Sequence, residues 1–175
     1  MKKIYQALLM LCITVTTLNT FAGEGCDKPP YVGSKEFEKL KTLAGHWEGS
    51  APMGDKNMPV VVEYKITGNG SAIVETLWPG TPQEMVSTYY DRDGRLAMTH
   101  YCSLGNRPQM ILKKSTDREI HLDYTTSQGI NPRKDMHMHS LTLTFVDQDH
   151  IKAAWGSYAD GKSAGVHAFE LTRTK

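Results

Sequence analysis

The sequence predicts an all-β protein, a single antiparallel up-and-down barrel of about ten strands with a short N-terminal helix covering one end. Two patterns predict this fold. Turn-forming residues recur about every ten residues from Gly68 onward, and the runs between them alternate apolar and polar residues, as strands with one buried face do. The composition, with 39% hydrophobic and 22% charged residues over 175 positions, is that of one ordinary globular domain.

The N-terminal 22 residues are predicted to be a secretory signal peptide and not part of the fold. Lys2 and Lys3 precede a mostly apolar run, and Thr20 and Ala22 are small residues just before a cleavage point at Gly23. Residues 23–33 then form a tail, and residues 34–175 form the barrel domain. We therefore expect a periplasmic or secreted protein. No segment has the roughly 20 apolar residues that a membrane-spanning helix needs.

Charge and cysteine content restrict the partners. The chain has 20 Lys and Arg against 19 Asp and Glu, which is not the basic excess that nucleic-acid binding requires. Removal of the signal peptide leaves Cys26 and Cys102. In an oxidising compartment these two residues could form a disulfide that ties the tail to the barrel, and two separate thiols are the alternative. The sequence does not indicate an oligomeric state.

The helix is predicted over Ser34 to Ala44. Ser34 can cap its N-terminus, Glu36 and Glu38 favour its first turn, and Gly45 ends it. After it, the alternating runs place strands at residues 46–51, 58–67, 71–78, 84–90, 95–104, 109–114, 119–126, 136–146, 150–158 and 164–173.

A sequence G-x-W, ending at Trp47, stands on the first strand directly after this helix, and Arg173 stands near the end of the last strand. The combination resembles the signature of the lipocalin and fatty-acid-binding superfamily, the calycins. The resemblance implies that the Arg173 guanidinium lies on the Trp47 indole and closes one end of the barrel.

Four further segments make the chain similar to a group of secreted bacterial lipocalin-like proteins without an assigned activity. They are HYCSLGNRPQM (100–110), MHMHSLTLTF (136–145), DGK (160–162) and FELTR (169–173). Nitrobindin-like haem barrels share the G-x-W opening and the ten-strand architecture. In those proteins a histidine near the C-terminal strands ligates haem, and His167 lies in the comparable region here.

Strand alternation also predicts which polar side chains face the barrel interior. Several imidazoles and one thiol have the same parity as the apolar residues of their own strands: His100, Cys102, His137, His139 and His167. Tyr64 and Trp155 also have inward parity and are expected in the wall of a pocket. Because buried polar groups need partners, we expect these side chains to contact one another, water, a metal or a ligand.

The predicted function is binding of a small, largely apolar molecule in the barrel cavity, held by the inward histidines. One alternative is a zinc or copper site formed by His100, His137 and His139, because imidazoles two residues apart on a strand can bind one ion. Haem binding is another. An enzyme that uses Cys102 as a nucleophile activated by His100 is the third, although no orienting residue or oxyanion donor can be identified for it.

Overall fold

The computed structural model describes residues 28–53 and 55–174. The predicted signal peptide and Cys26 lie outside these residues. Within them, ten antiparallel strands form a closed barrel in which each strand pairs with its neighbours in the chain and β1 pairs with β10. The predicted all-β barrel with one short helix is therefore confirmed. Its elements are α1 (Lys35–Lys41), β1 (Gly45–Met53), β2 (Lys56–Thr67), β3 (Ala72–Leu77), β4 (Met85–Arg92), β5 (Arg95–Tyr101), β6 (Gln109–Ser115), β7 (Glu119–Tyr124), β8 (His137–Phe145), β9 (His150–Ala159) and β10 (Lys162–Thr174).

The helix begins where the sequence predicted and ends three residues earlier than Ala44. The Ser34 hydroxyl accepts a hydrogen bond from the backbone N–H of Phe37 and so caps the N-terminus. Beyond Lys41, the N–H groups of the next residues bond to carbonyls three residues back, so the chain tightens into 3₁₀-type turns. Gly45 then has a φ of 129°, which favours glycine at the entry to β1.

Helix α1 covers one end of the barrel. Its apolar face, formed by Phe37 and Leu40, is buried. Ser34 donates a hydrogen bond to Asp91 near the β4–β5 turn, and Ser115 at the end of β6 donates one to Glu36. The turns β2–β3, β4–β5, β6–β7 and β8–β9 share this end with the helix, so the remaining hairpin turns form the opposite end.

Trp47 and Arg173 meet at the covered end. They are opposite each other in the β1–β10 register, and the Arg173 guanidinium carbon lies 4.3 Å from the centroid of the Trp47 ring. The two terminal guanidinium nitrogens donate hydrogen bonds of 2.8 Å to the carbonyls of Thr42 and Ala44. Arg173 thus joins the last strand to the carbonyl groups that follow α1.

Replacing Arg173 by Ala is expected to lower the free energy of unfolding by about 1–3 kcal/mol. The change removes a cation–π contact, three hydrogen bonds from a charged donor to backbone carbonyls, and an ion pair with Asp149. Urea denaturation of the R173A variant checks this value. The matched control is R118A, because Arg118 is an exposed arginine at the same end of the barrel. Equal stability of the two variants would show that Arg173 does not hold the helix to the barrel.

Candidate ligand-binding site

The end of the barrel opposite α1 contains a cavity of about 410 Å³, within the size range of small-molecule sites. Its walls come from residues near the hairpins at that end, and most of them are apolar. No Lys, Arg, Asp or Glu is among the residues described in its lining. The lining residues are Ala51, Pro52, Met58, Pro59, Leu77, Trp78, Thr81, Gln83, Met85, His100, Ser103, Met138, Trp155, Val166, His167, Ala168 and Phe169.

His100 is the buried titratable residue of this lining. Its side chain, on β5, is 1% exposed, and its ring centroid lies 4.6 Å from that of Trp155 on β9. Nδ1 of His100 is 3.0 Å from Oγ of Ser87. Burial lowers the pKa of His100 to about 4, so the imidazole is neutral at physiological pH.

His100 is the last residue of a polar row that crosses four adjacent strands. The strand register pairs Tyr64 with Glu75, Glu75 with Ser87, and Ser87 with His100. The hydroxyls of Tyr64 and Tyr89 each donate a 2.8 Å hydrogen bond to a different oxygen of the Glu75 carboxylate. All five side chains are buried, so the row is a polar network inside the barrel wall.

Burial raises the pKa of the Glu75 carboxyl, and the hydrogen bonds from Tyr89, Ser87 and Tyr64 oppose this effect by stabilising the carboxylate. Burial also raises the pKa values of Tyr64 and Tyr89 well above 10, and the charge of Glu75 raises them further. Both phenols therefore keep their protons and act as donors to Glu75.

The partner of His100 in this row is Ser87. The Ser87 oxygen lies 3.0 Å from Nδ1 of His100, and either group can be the donor of this hydrogen bond. No described residue forms a hydrogen bond with Nε2 of His100. The row thus places one neutral imidazole in the wall of an apolar cavity.

The sequence reasoning missed Glu75, Ser87 and Tyr89. A usable signal was present, since Glu75 lies between Ile73 and Leu77, which have the same inward parity on β3. A carboxylate in such a position has to find buried donors. Tyr64, which was predicted in the pocket wall, instead binds Glu75 and is not part of the cavity lining.

The structure does not place His137 and His139 in the lining of the cavity, although His137 is fully buried. The β8–β9 register shifts between Met138 and Ser140, so His139 is an extra residue in a β-bulge. Because of this extra residue, the residues of β8 before His139 face the opposite sides of the sheet from those that simple alternation predicts. Met138, opposite Ser157, lines the cavity, whereas the two histidines do not.

His137 and His139 form an aromatic cluster with Tyr124 and Tyr158. Nδ1 of His137 bonds to the carbonyl of Asp135 at 2.8 Å, and its Nε2 is 3.0 Å from Nδ1 of His139. The His139 ring stacks on Tyr158 and Tyr124, with centroid distances of 3.8 and 5.2 Å. Burial lowers the pKa of His139, and the nearby carboxylate of Asp123 opposes this shift.

Two of the other predicted site residues, Trp155 and His167, lie in the cavity wall. Trp155 and His167 are opposite each other in the β9–β10 register, and both line the cavity, His167 at its exposed mouth. The indole Nε1 of Trp155 is buried and has no hydrogen-bond partner among the described residues.

Cys102 follows the end of β5, which is shorter than the predicted strand 95–104, and its N–H bonds to the carbonyl of Asn106 in the next turn. It lies in a different pocket from His100.

Within residues 28–53 and 55–174, no three His, Cys, Asp or Glu side chains are arranged to hold a metal ion. His100 lies in the cavity wall, and His137 and His139 lie in the aromatic cluster, so the structure does not bring the three candidate ligands together. In the same part of the chain, no helix is both long enough and apolar enough to cross a membrane.

No family model matches this chain, and no curated protein matches it either. Among solved structures, the chain is similar to a protein of unknown function from the DUF3598 family of Nostoc punctiforme PCC 73102. The TM-score is 0.54 at 13% sequence identity, over 84% of this chain and 51% of that one. The chain therefore spans about half the length of this neighbour. The similarity supports the barrel fold alone.

Proposed function

We propose that this protein binds a small, largely apolar molecule in the cavity and that it is a lipocalin-like calycin barrel exported to the periplasm or the cell exterior. The observation that carries the proposal is an apolar cavity whose buried wall contains a neutral imidazole. The predicted signal peptide supports export. The G-x-W opening and the Arg173 contact support the calycin assignment.

The lining favours an uncharged, apolar occupant. Burying apolar ligand surface against Trp78, Leu77 and Phe169 contributes roughly 25 cal/mol for each Å² removed from water. A few polar groups, His100 among them, supply the directional contacts that small-molecule sites use to orient a ligand. The closed barrel holds these walls in place, because every strand is paired on both sides.

Filling the cavity tests the proposal. Ala51 is buried on β1 and lines the cavity, whereas its neighbour Ser50 is exposed. A fluorescence titration with the neutral probe N-phenyl-1-naphthylamine should show saturable one-to-one binding to the native protein. The A51F variant should bind it at least about tenfold more weakly, since an added ring occupies the site. The S50F variant is the matched control and should bind like the native protein.

A second blocking variant, A168W, places the added ring at the exposed mouth and so avoids a change in the buried wall. Absence of saturable binding to the native protein, or equal affinities of the A51F, A168W and S50F variants, would contradict the proposal. Haem titration belongs in the same experiment. A one-to-one haem complex that is lost in the H100F variant would identify the cavity as a haem site instead of a site for an organic ligand.

A further inference from the structure

We propose that the cavity binds the apolar side chains of an extended peptide, whose backbone adds a strand to an unpaired edge of β10. This inference rests on the proposed function and names the chemical class of its ligand. Three features carry it: the point where the pairing of β1 with β10 stops, the residues of the unpaired edge, and the position of the cavity beside that edge.

The first feature is the incomplete pairing of β10. The β1–β10 register ends where Ser50 is opposite Glu170, although β10 extends back to Lys162 and stays paired with β9. Among the described residues, none pairs with the other side of residues 165–169, which we call the free edge. Because a strand directs its N–H and C=O groups to both sides, the free edge carries backbone groups without protein partners.

The second feature is the composition of the free edge. Strand edges in proteins are commonly protected by lysine, proline or a β-bulge. The free edge contains no Lys, Arg, Asp, Glu or Pro, and its pairing with β9 is regular, since the register shift lies before Gly165. Residues 165–168 are exposed, Val166 by 67%. The free edge is therefore an accessible template for one more strand.

The third feature is the cavity beside this edge. Its lining takes residues 166–169 from β10 and, on the other side of the gap, Ala51 and Pro52 from β1. Pro52 has no N–H, so β1 is the poorer template for strand addition. A strand added to β10 would run along the mouth of the cavity, and its alternate side chains would point to the same face of the sheet.

An extended peptide satisfies both parts of this site. Its backbone supplies the donors and acceptors that the free edge can pair with, and its apolar side chains can enter a cavity whose described lining has no charged residue. In recognition by strand addition, main-chain hydrogen bonds give affinity and pockets for alternate side chains give specificity. A hydrocarbon could fill the cavity, but it would leave the free edge to water.

Two heptapeptides test the part played by the cavity. In the N-acetylated, C-amidated peptide KTLTLTK, both leucines lie on one face of an extended strand. Calorimetric titration of the native protein should show saturable one-to-one binding, and the peptide should displace N-phenyl-1-naphthylamine. The matched peptide KTSTSTK, with serine in place of leucine, should bind at least about tenfold more weakly.

N-methylation of the peptide tests the strand addition. In a strand added to one edge, alternate N–H groups point to that edge and the others point away from it. One version of KTLTLTK is methylated on both leucine nitrogens, and the other on the nitrogens of its second and third threonines. One of the two should bind at least about tenfold more weakly than the parent peptide, and the other should bind like it.

Two measurements locate the bound peptide on the protein. The A51F variant should lose binding at least about tenfold, whereas the S50F variant should bind like the native protein. Hydrogen exchange of backbone amides in the free edge should slow when KTLTLTK is bound, while exchange in β6 should not change.

Binding of N-phenyl-1-naphthylamine without binding of KTLTLTK would overturn the inference and leave the proposed function standing. Equal affinities of the two N-methylated peptides, or of KTLTLTK and KTSTSTK, would also overturn it. Protection of the free edge that rises with protein concentration in the absence of peptide would show that a second copy of the chain covers it, which is a further contrary result. Failure of both the probe and the peptide to bind would remove both proposals.

Discussion

Replacing Glu75 by Ala is expected to lower the free energy of unfolding by about 3–5 kcal/mol. This is the largest loss of stability that we expect from one substitution. Glu75 accepts hydrogen bonds from Tyr64 and Tyr89, and all three side chains are buried. Its removal leaves two buried hydroxyl donors without an acceptor, which costs about 1–3 kcal/mol for each donor, and it opens space in the core. Urea denaturation measures the loss.

Two companion variants show whether this loss comes from the network. E48A removes an exposed carboxylate from β1 and should change stability by less than about 1 kcal/mol. E75Q keeps the shape and one carbonyl acceptor, so its loss should be intermediate. If the E75A variant were as stable as the E48A variant, the buried row would not be the stabilising feature that the geometry indicates.

The stability of the barrel is expected to fall by about 3 kcal/mol between pH 6.5 and pH 4 because of His100 alone. Burial lowers the pKa of His100 from 6.5 to about 4. In this interval the unfolded chain therefore binds a proton that the folded protein excludes. This contribution is fully present above pH 6.5 and is lost as the pH falls toward 4, at about 1.36 kcal/mol for each unit of the pKa shift.

The measurement is the free energy of unfolding at pH 7 and pH 4.5, by urea denaturation, in the native protein and in the H100F variant. Carboxyl groups such as Glu75 titrate in both proteins, so the difference between their pH dependences isolates His100. The H46F variant, which removes an exposed histidine from β1, should keep the native pH dependence. The same pH dependence in native and H100F proteins would show that the imidazole is not desolvated in the folded state.

The sequence was sufficient to predict the strands because a closed barrel imposes one rule on all of them. Each strand has one buried face, so its apolar residues alternate, and each hairpin needs turn residues at its tip. The inward positions of His100 and Trp155 follow from this rule, since β5 and β9 run without interruption past them. The helix start follows from Ser34, whose side chain caps it locally.

The same rule fails wherever a strand gains a residue or ends early. The bulge at His139 reverses the parity of the residues before it, and nothing in the alternating pattern of β8 indicates the insertion. β5 ends at Tyr101 because the next residues form a turn, in which Cys102 and Asn106 are hydrogen-bonded. Both features depend on pairing with other strands, so local pattern does not determine them.

The polar row was missed for a different reason. The alternation on β3 places Glu75 inward, but only the register of the neighbouring strands shows that Tyr64 and Tyr89 are its donors. The same register places Ser87 beside His100. The sequence could indicate an inward imidazole, and the strand register was needed to identify its partner.

A crystal structure of the protein grown with N-phenyl-1-naphthylamine tests the central claim most directly. We expect the aromatic rings of the probe inside the barrel, against Trp78 and Phe169. The probe bound only on the outer surface of the barrel would contradict the claim.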